Sequence, residues 1–111
     1  MESITEKLVK EITEIIFQEI NPKQVILFGS QARGEARAES DLDFLIVQDQ
    51  PFTPTQTRRQ QMARLWRRLA HFPLSQDFLI FTPEEVEEWR HSKNHVIARA
   101  LREGKLVYER A

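Results

Sequence analysis

The chain has 111 residues, 41% hydrophobic and 30% charged, with a formal net charge of -1. That length suits one domain around one modest core, and the near-neutral charge gives no overall pull toward nucleic acid or an anionic membrane. The absence of cysteine excludes disulfides, Cys-ligated zinc, iron–sulfur clusters and thiol nucleophiles. No run nears the ~20 apolar residues of a transmembrane helix, and the acidic start Met1-Glu2-Ser3 leads into no signal-peptide pattern, so a cytoplasmic protein is expected.

Ser3 and Glu6 have the spacing of a capping box. Behind them Ile4, Leu8, Ile12, Ile15, Ile16 and Ile20 recur at three- and four-residue steps, which predicts an amphipathic helix to about residue 20. Asn21-Pro22 ends it. Gln24 to Phe28 holds the apolar run Val25-Ile26-Leu27-Phe28, closed by Gly29, the pattern of a short strand buried on both faces. Residues 29–40 are small and polar and read as a tight turn and loop. Leu42 to Val47 is a second strand, and Gln48 to Thr55, with two prolines, a surface loop.

Thr57 to about His71 predicts a second helix, with Met62, Leu65, Trp66 and Leu69 on its apolar face. Arg58, Arg59, Arg64, Arg67 and Arg68 fall largely off that face and read as solvated; binding of RNA or of a partner's acids is the alternative. Phe78 to Phe81 is a third strand, opened by Ser75-Gln76-Asp77. Thr82-Pro83-Glu84-Glu85 is a helix start, with Thr as N-cap, Pro at the first position and acids at the positive end of the dipole. A last helix covers Asn94 to Glu103, with Gly104 as a left-handed stop, and Leu106-Val107-Tyr108 is a final short strand. Trp66 and Trp89 read as core, with a place at an interface as the alternative. His91 and His95 read as surface histidines, because no third ligand accompanies them. The order predicts an α+β fold: a small mixed sheet of three to four strands with helices packed on one side, the whole of residues 1–111 forming a single domain.

Chemistry concentrates in Phe28-Gly29-Ser30-Gln31-Ala32-Arg33-Gly34 and Ser40-Asp41-Leu42-Asp43. Side chains alternate along a strand, so Asp41 and Asp43 project from one side with Cα atoms roughly 6.5 Å apart. Two carboxylates at that spacing can share a hard cation, and Mg²⁺ suits them because it fills its shell with water and phosphate oxygens. The plain alternative is a pair of acids capping a surface turn. Gly29 lets the backbone turn sharply toward a ligand. The Ser30 hydroxyl and the N–H groups after it can then donate to phosphate. Arg33 reads either as a phosphate or carboxylate partner or as a loop arginine. Ser40 either orients the carboxylates or caps a turn.

The Gly-Ser pair, ten intervening residues and Asp-x-Asp between two short strands resemble the nucleotidyltransferase motif of the DNA polymerase beta superfamily. The longer string Gly-Ser-x-Ala-Arg-Gly followed by Ser-Asp-x-Asp looks most like its minimal nucleotidyltransferase (MNT) branch. The sequence departs from the family pattern at Gln31, where a basic residue is usual. The resemblance implies the polymerase beta-like fold, Mg²⁺ (one or two ions) and ATP as nucleotide substrate. It also implies a third carboxylate from the next strand, matched by Asp77. Asp41, Asp43 and Asp77 would then be both metal ligands and catalytic residues, with Gly29, Ser30, Arg33 and Ser40 binding the nucleotide.

The implied activity is transfer of a nucleoside monophosphate, AMP from ATP, to a hydroxyl on a partner protein. The implied role is that of an antitoxin that neutralises a HEPN-domain toxin. Two other readings stand beside it: an antitoxin acting by complex formation alone, and a nucleotidyltransferase for a small molecule or an RNA end. Neither a membrane nor a nucleic-acid partner is expected.

Overall fold

The computed structural model describes residues 4–20, 22–28, 42–72, 76–93 and 95–110. In chain order the elements are α1 (Ile4–Glu19), β1 (Pro22–Phe28), β2 (Leu42–Gln48), α2 (Arg58–Leu69), β3 (Gln76–Phe81), α3 (Pro83–Trp89), α4 (Val96–Glu103) and β4 (Lys105–Glu109). The strands form one mixed sheet in the order β3-β2-β1-β4. β1 runs antiparallel to both β2 and β4, whereas β2 and β3 are parallel. A parallel pair needs a crossover, and α2 supplies it. This is the expected α+β fold.

Helices cover both faces of the sheet, which corrects the expectation of helices on one side. On one face Ile12 and Ile16 of α1 and Leu65 and Leu69 of α2 pack against Val25, Leu27, Leu42, Phe44, Ile46, Phe78 and Ile80. On the other, Val86 of α3 and Ile97 and Ala100 of α4 pack against Ile26, Leu45 and Val47. The apolar runs at 25–28 in β1 and 44–47 in β2 follow from this. Alternate residues enter different cores, so Phe44, Leu45 and Ile46 are all fully buried. Each strand side needs apolar residues when both are covered.

Local chemistry fixes the helix starts. Thr57 and Gln60 form a capping box at α2, and Thr82 and Glu85 form a second at α3, with Pro83 in the first turn. Both satisfy N–H groups that a helix start leaves unpaired. The proposed Ser3–Glu6 box involves Ser3, outside the described residues.

Gly104 ends α4 as predicted, but for a different reason. Its backbone is extended (φ -81°, ψ 166°) rather than left-handed. A Cβ there would stand 2.3 Å from the Ala100 carbonyl oxygen and 2.5 Å from Ile26 Cγ2. Glycine is required because α4 turns directly into β4 against β1.

The two faces are fastened together around the free side of β3. The Arg58 Nε donates to the Ile80 carbonyl at 3.0 Å, and its terminal nitrogen donates to the Glu85 carboxylate at 2.5 Å. The guanidinium also lies over the rings of Phe52 (4.7 Å) and Phe81 (5.3 Å). One arginine thus joins α2 on one face to α3 on the other. Among the described residues no helix is long and apolar enough to cross a membrane.

Candidate active site

Two of the three predicted carboxylates lie side by side. Asp43 is the second residue of β2, Asp77 the second residue of β3, and they are register partners in the parallel ladder. Neighbouring strands lie about 4.8 Å apart, and laterally paired residues project from the same face. Asp43 is half-buried and Asp77 exposed. Both stand at the strand openings, before Leu45 and Leu79 carry that face into the core beneath α3 and α4.

The register behind this pair is pinned from the opposite face. Phe44 and Phe78 are the next partners along the ladder. Their rings stack with centroids 5.8 Å apart, and both are fully buried. Trp66 of α2 closes on Phe78 edge-on at 5.6 Å. Buried Gln76, immediately before Asp77, donates to the Leu69 carbonyl at the end of α2. A slip of one residue would turn the aspartates into the core beneath α1 and α2 and the phenylalanines out of it, so the core dictates where the carboxylates stand.

Two carboxylates this close repel unless a cation lies between them. Their oxygen chemistry fits a hard divalent ion. Among the described residues no group of three or more histidines and acids could hold a metal ion. Asp43 and Asp77 make two of the predicted three, and Asp41 lies outside the described residues. Gly29, Ser30, Arg33 and Ser40 lie outside them as well.

On its other side Asp43 is the register partner of Phe28, a half-buried ring at the end of β1. Sequence reasoning placed Phe28 in the strand but gave it no position beside the carboxylates; only the pairing of β1 with β2 does that.

His91 and His95 do not share a helix face. His91 follows the end of α3, whereas His95 is the N-cap of α4, its Nδ1 accepting from the Ile97 N–H at 3.1 Å. The His95 ring stacks on Trp89 with centroids 4.5 Å apart. Trp66 and Trp89, expected in the core, remain 45% and 40% exposed. Each lays one side of its ring against the protein and turns the other to solvent.

The ionisation of Glu85 clearly departs from the ordinary. Burial pushes its carboxyl up, but the hydrogen bond from Arg58, that from the Thr82 backbone, the Arg58 charge and the Thr82 hydroxyl outweigh it. Its pKa lies below the usual 4.5.

A mixed four-stranded sheet in the order β3-β2-β1-β4 with helices packed on it matches the nucleotidyltransferase fold. The family profile described as "Polymerase beta, Nucleotidyltransferase" matches residues 10–111, and the chain belongs to that family. No curated protein sequence matches it. Among solved structures it is similar to a provisionally assigned nucleotidyltransferase from Sulfolobus solfataricus (22% identity, TM-score 0.60, covering 94% of this chain and 79% of that one). It is also similar to a toxin–antitoxin structure with AMP-PNP (17%, TM-score 0.53, 90% and 73%). A third likeness is to the toxin–antitoxin MntA-HpeT carrying two aspartate-to-glutamate substitutions (14%, TM-score 0.53, 91% and 72%). At these identities the likeness is one of fold.

Proposed function

We propose that residues 1–111 act as a single minimal nucleotidyltransferase domain that moves AMP from ATP to a hydroxyl on a partner protein. In this reading the protein is a cytoplasmic antitoxin, and the partner is a HEPN-type toxin that it neutralises. The observation that carries the reading is the register pairing of Asp43 with Asp77, which brings together carboxylates 34 positions apart in the sequence. Membership of the nucleotidyltransferase family supports the class of reaction. The fold's likeness to two toxin–antitoxin structures, one with AMP-PNP, supports the biological role.

The residues divide the work by chemistry. Asp41, Asp43 and Asp77 would hold one or two Mg²⁺ ions, which when bound supply positive charge against the triphosphate. Gly29 lets the backbone approach the phosphates, and the Ser30 hydroxyl and adjacent N–H groups donate to them. Arg33 pairs with a phosphate oxygen, and Ser40 orients the neighbouring carboxylates. The acceptor hydroxyl oxygen forms a bond to the α-phosphorus as the bond to the bridging oxygen breaks. Pyrophosphate leaves with that electron pair, and Asp77, more exposed than Asp43, takes the hydroxyl proton. Positioning and charge do most of the work in such transfers.

The test is label transfer from α-³²P-ATP with Mg²⁺ in lysate of the native host. Wild type is compared with the double variant Asp41→Asn/Asp43→Asn. A labelled protein band given only by wild type is the expected result. The absence of any labelled protein with correctly folded wild type overturns transfer to protein. Neutralisation by complex formation alone is then the better reading, and the half-exposed Trp66 and Trp89 favour it.

A further inference from the structure

The helix α2 carries five arginines and no acid, in a chain whose net charge is -1. Two of the five are answered: Arg58 pairs with Glu85, and Arg68 with Glu19 of α1. Among the described residues no acid pairs with Arg59, Arg64 or Arg67. Beside them lies an open hollow of about 450 Å³ lined by Arg58, Arg59, Met62, Ala63 and Trp66. Its shape follows from helix geometry. Residues four apart form ridges: Arg58, Met62 and Trp66 make one, and Arg59, Ala63 and Arg67 the next. Ala63 is the small residue in the second ridge, and the notch it leaves exposes the sides of Met62 and Trp66.

We infer that this face of α2 docks an acidic amphipathic helix of a partner protein. A ridge of apolar side chains on that helix would fill the notch over Ala63, and acids flanking the ridge would meet Arg59 and Arg67. The inference deepens the proposed function and rests on it only for the occupant being a protein. A symmetric pairing of two copies through α2 does not fit, because it would bring one acid-free arginine helix against another. A phosphate backbone fits less well than a helix. The floor of the hollow is apolar, and the acidic α3, with Glu84, Glu87 and Glu88, is fastened to the Arg58 end through Glu85. Trp66 also touches Phe78, the neighbour of Asp77 in β3. A helix seated on Trp66 would therefore lie on the α1/α2 face of the sheet, the reverse of the face from which Asp43 and Asp77 project.

The test is made on the full chain with Trp89→Phe, which leaves Trp66 as the single tryptophan. The probe is a synthetic peptide of about 20 residues, long enough to form an isolated helix, with a leucine ridge flanked by glutamates. Controls are the same peptide with lysines replacing the glutamates and single-stranded polyuridine RNA. Saturable change in Trp66 emission with the glutamate peptide alone is expected. It should weaken about tenfold or more, some 1.4 kcal/mol, in Ala63→Leu, which fills the notch. Arg59→Glu/Arg67→Glu, which leaves every packed side chain in place, should weaken it equally. No saturable change, equal binding of the lysine peptide, binding of RNA instead, or indifference to both variants overturns the inference. Asp77→Asn separates this result from catalysis. It should bind the peptide as wild type does, so loss of label transfer with docking intact bears on the active site alone.

Discussion

Asp43 and Asp77 stand opposite one another across the parallel β2–β3 ladder, with the stacked Phe44 and Phe78 as the next pair on the reverse face. The carboxylates are therefore held by a core they do not enter. Replacing either by asparagine keeps the shape and removes one charge. We expect Asp43→Asn and Asp77→Asn each to lower the rate of AMP transfer roughly a hundredfold or more, about 2.7 kcal/mol of transition-state stabilisation. Urea denaturation should change little, because Asp77 is exposed and Asp43 half-buried. Label transfer at saturating Mg²⁺–ATP checks the first statement, and a large drop in unfolding midpoint would contradict the second.

Phe78 carries the register. It contacts Phe44 on one side and Trp66 on the other, with no solvent exposure. Phe78→Ala should cost roughly 3–5 kcal/mol. The emission of Trp66, read in the Trp89→Phe background, should shift to the red as its packed edge loses a partner. An unchanged spectrum would mean that Trp66 does not rest on Phe78 in solution.

Gly104 has no room for a methyl group. Gly104→Ala places a Cβ against the Ala100 carbonyl and Ile26, and the backbone atoms there cannot swing aside. The expected cost is about 1–3 kcal/mol, in the range of overpacking, despite the ordinary φ. Denaturant unfolding compared with wild type reads it. A stabilised variant would show that α4 and β4 separate easily from β1.

The Arg58–Glu85 pair gives stability a defined pH dependence. The Glu85 pKa is lower in the folded chain than its ordinary value of 4.5. Its contribution is therefore present above that value and lost as pH falls through the folded one. The pair is partly exposed, so its worth lies near the surface range of up to about 1 kcal/mol. Glu85→Gln should be less stable than wild type at neutral pH, and the gap should close in acid below pH 4.5. Paired acid-titrated unfolding curves decide it; a gap that widens in acid would reverse the sign.

Much of this protein could be read from residue order alone. Ile12 and Ile16 announce α1, Thr82 and Pro83 the start of α3, and the apolar runs 25–28 and 44–47 the two central strands. The two aspartates flanking Leu42, at a set distance from Gly29-Ser30, pointed to the family, since phosphate and metal chemistry constrains neighbouring positions strongly. Residues 29–41 lie outside the described structure, so Gly29, Ser30, Arg33, Ser40 and Asp41 stand on the sequence pattern.

The tertiary structure decided whatever depends on distant partners. The two-sided cover of the sheet was written into β1 and β2, whose strands lack a polar side, yet element order suggested one layer. The pairing of Asp43 with Asp77, the tie from Arg58 to Ile80 and Glu85, and the half-exposure of Trp66 have no local signal. Periodicity fixes which side of a helix or strand is apolar; it does not say which neighbour arrives there. Register and packing between segments set that, and they place the carboxylates side by side.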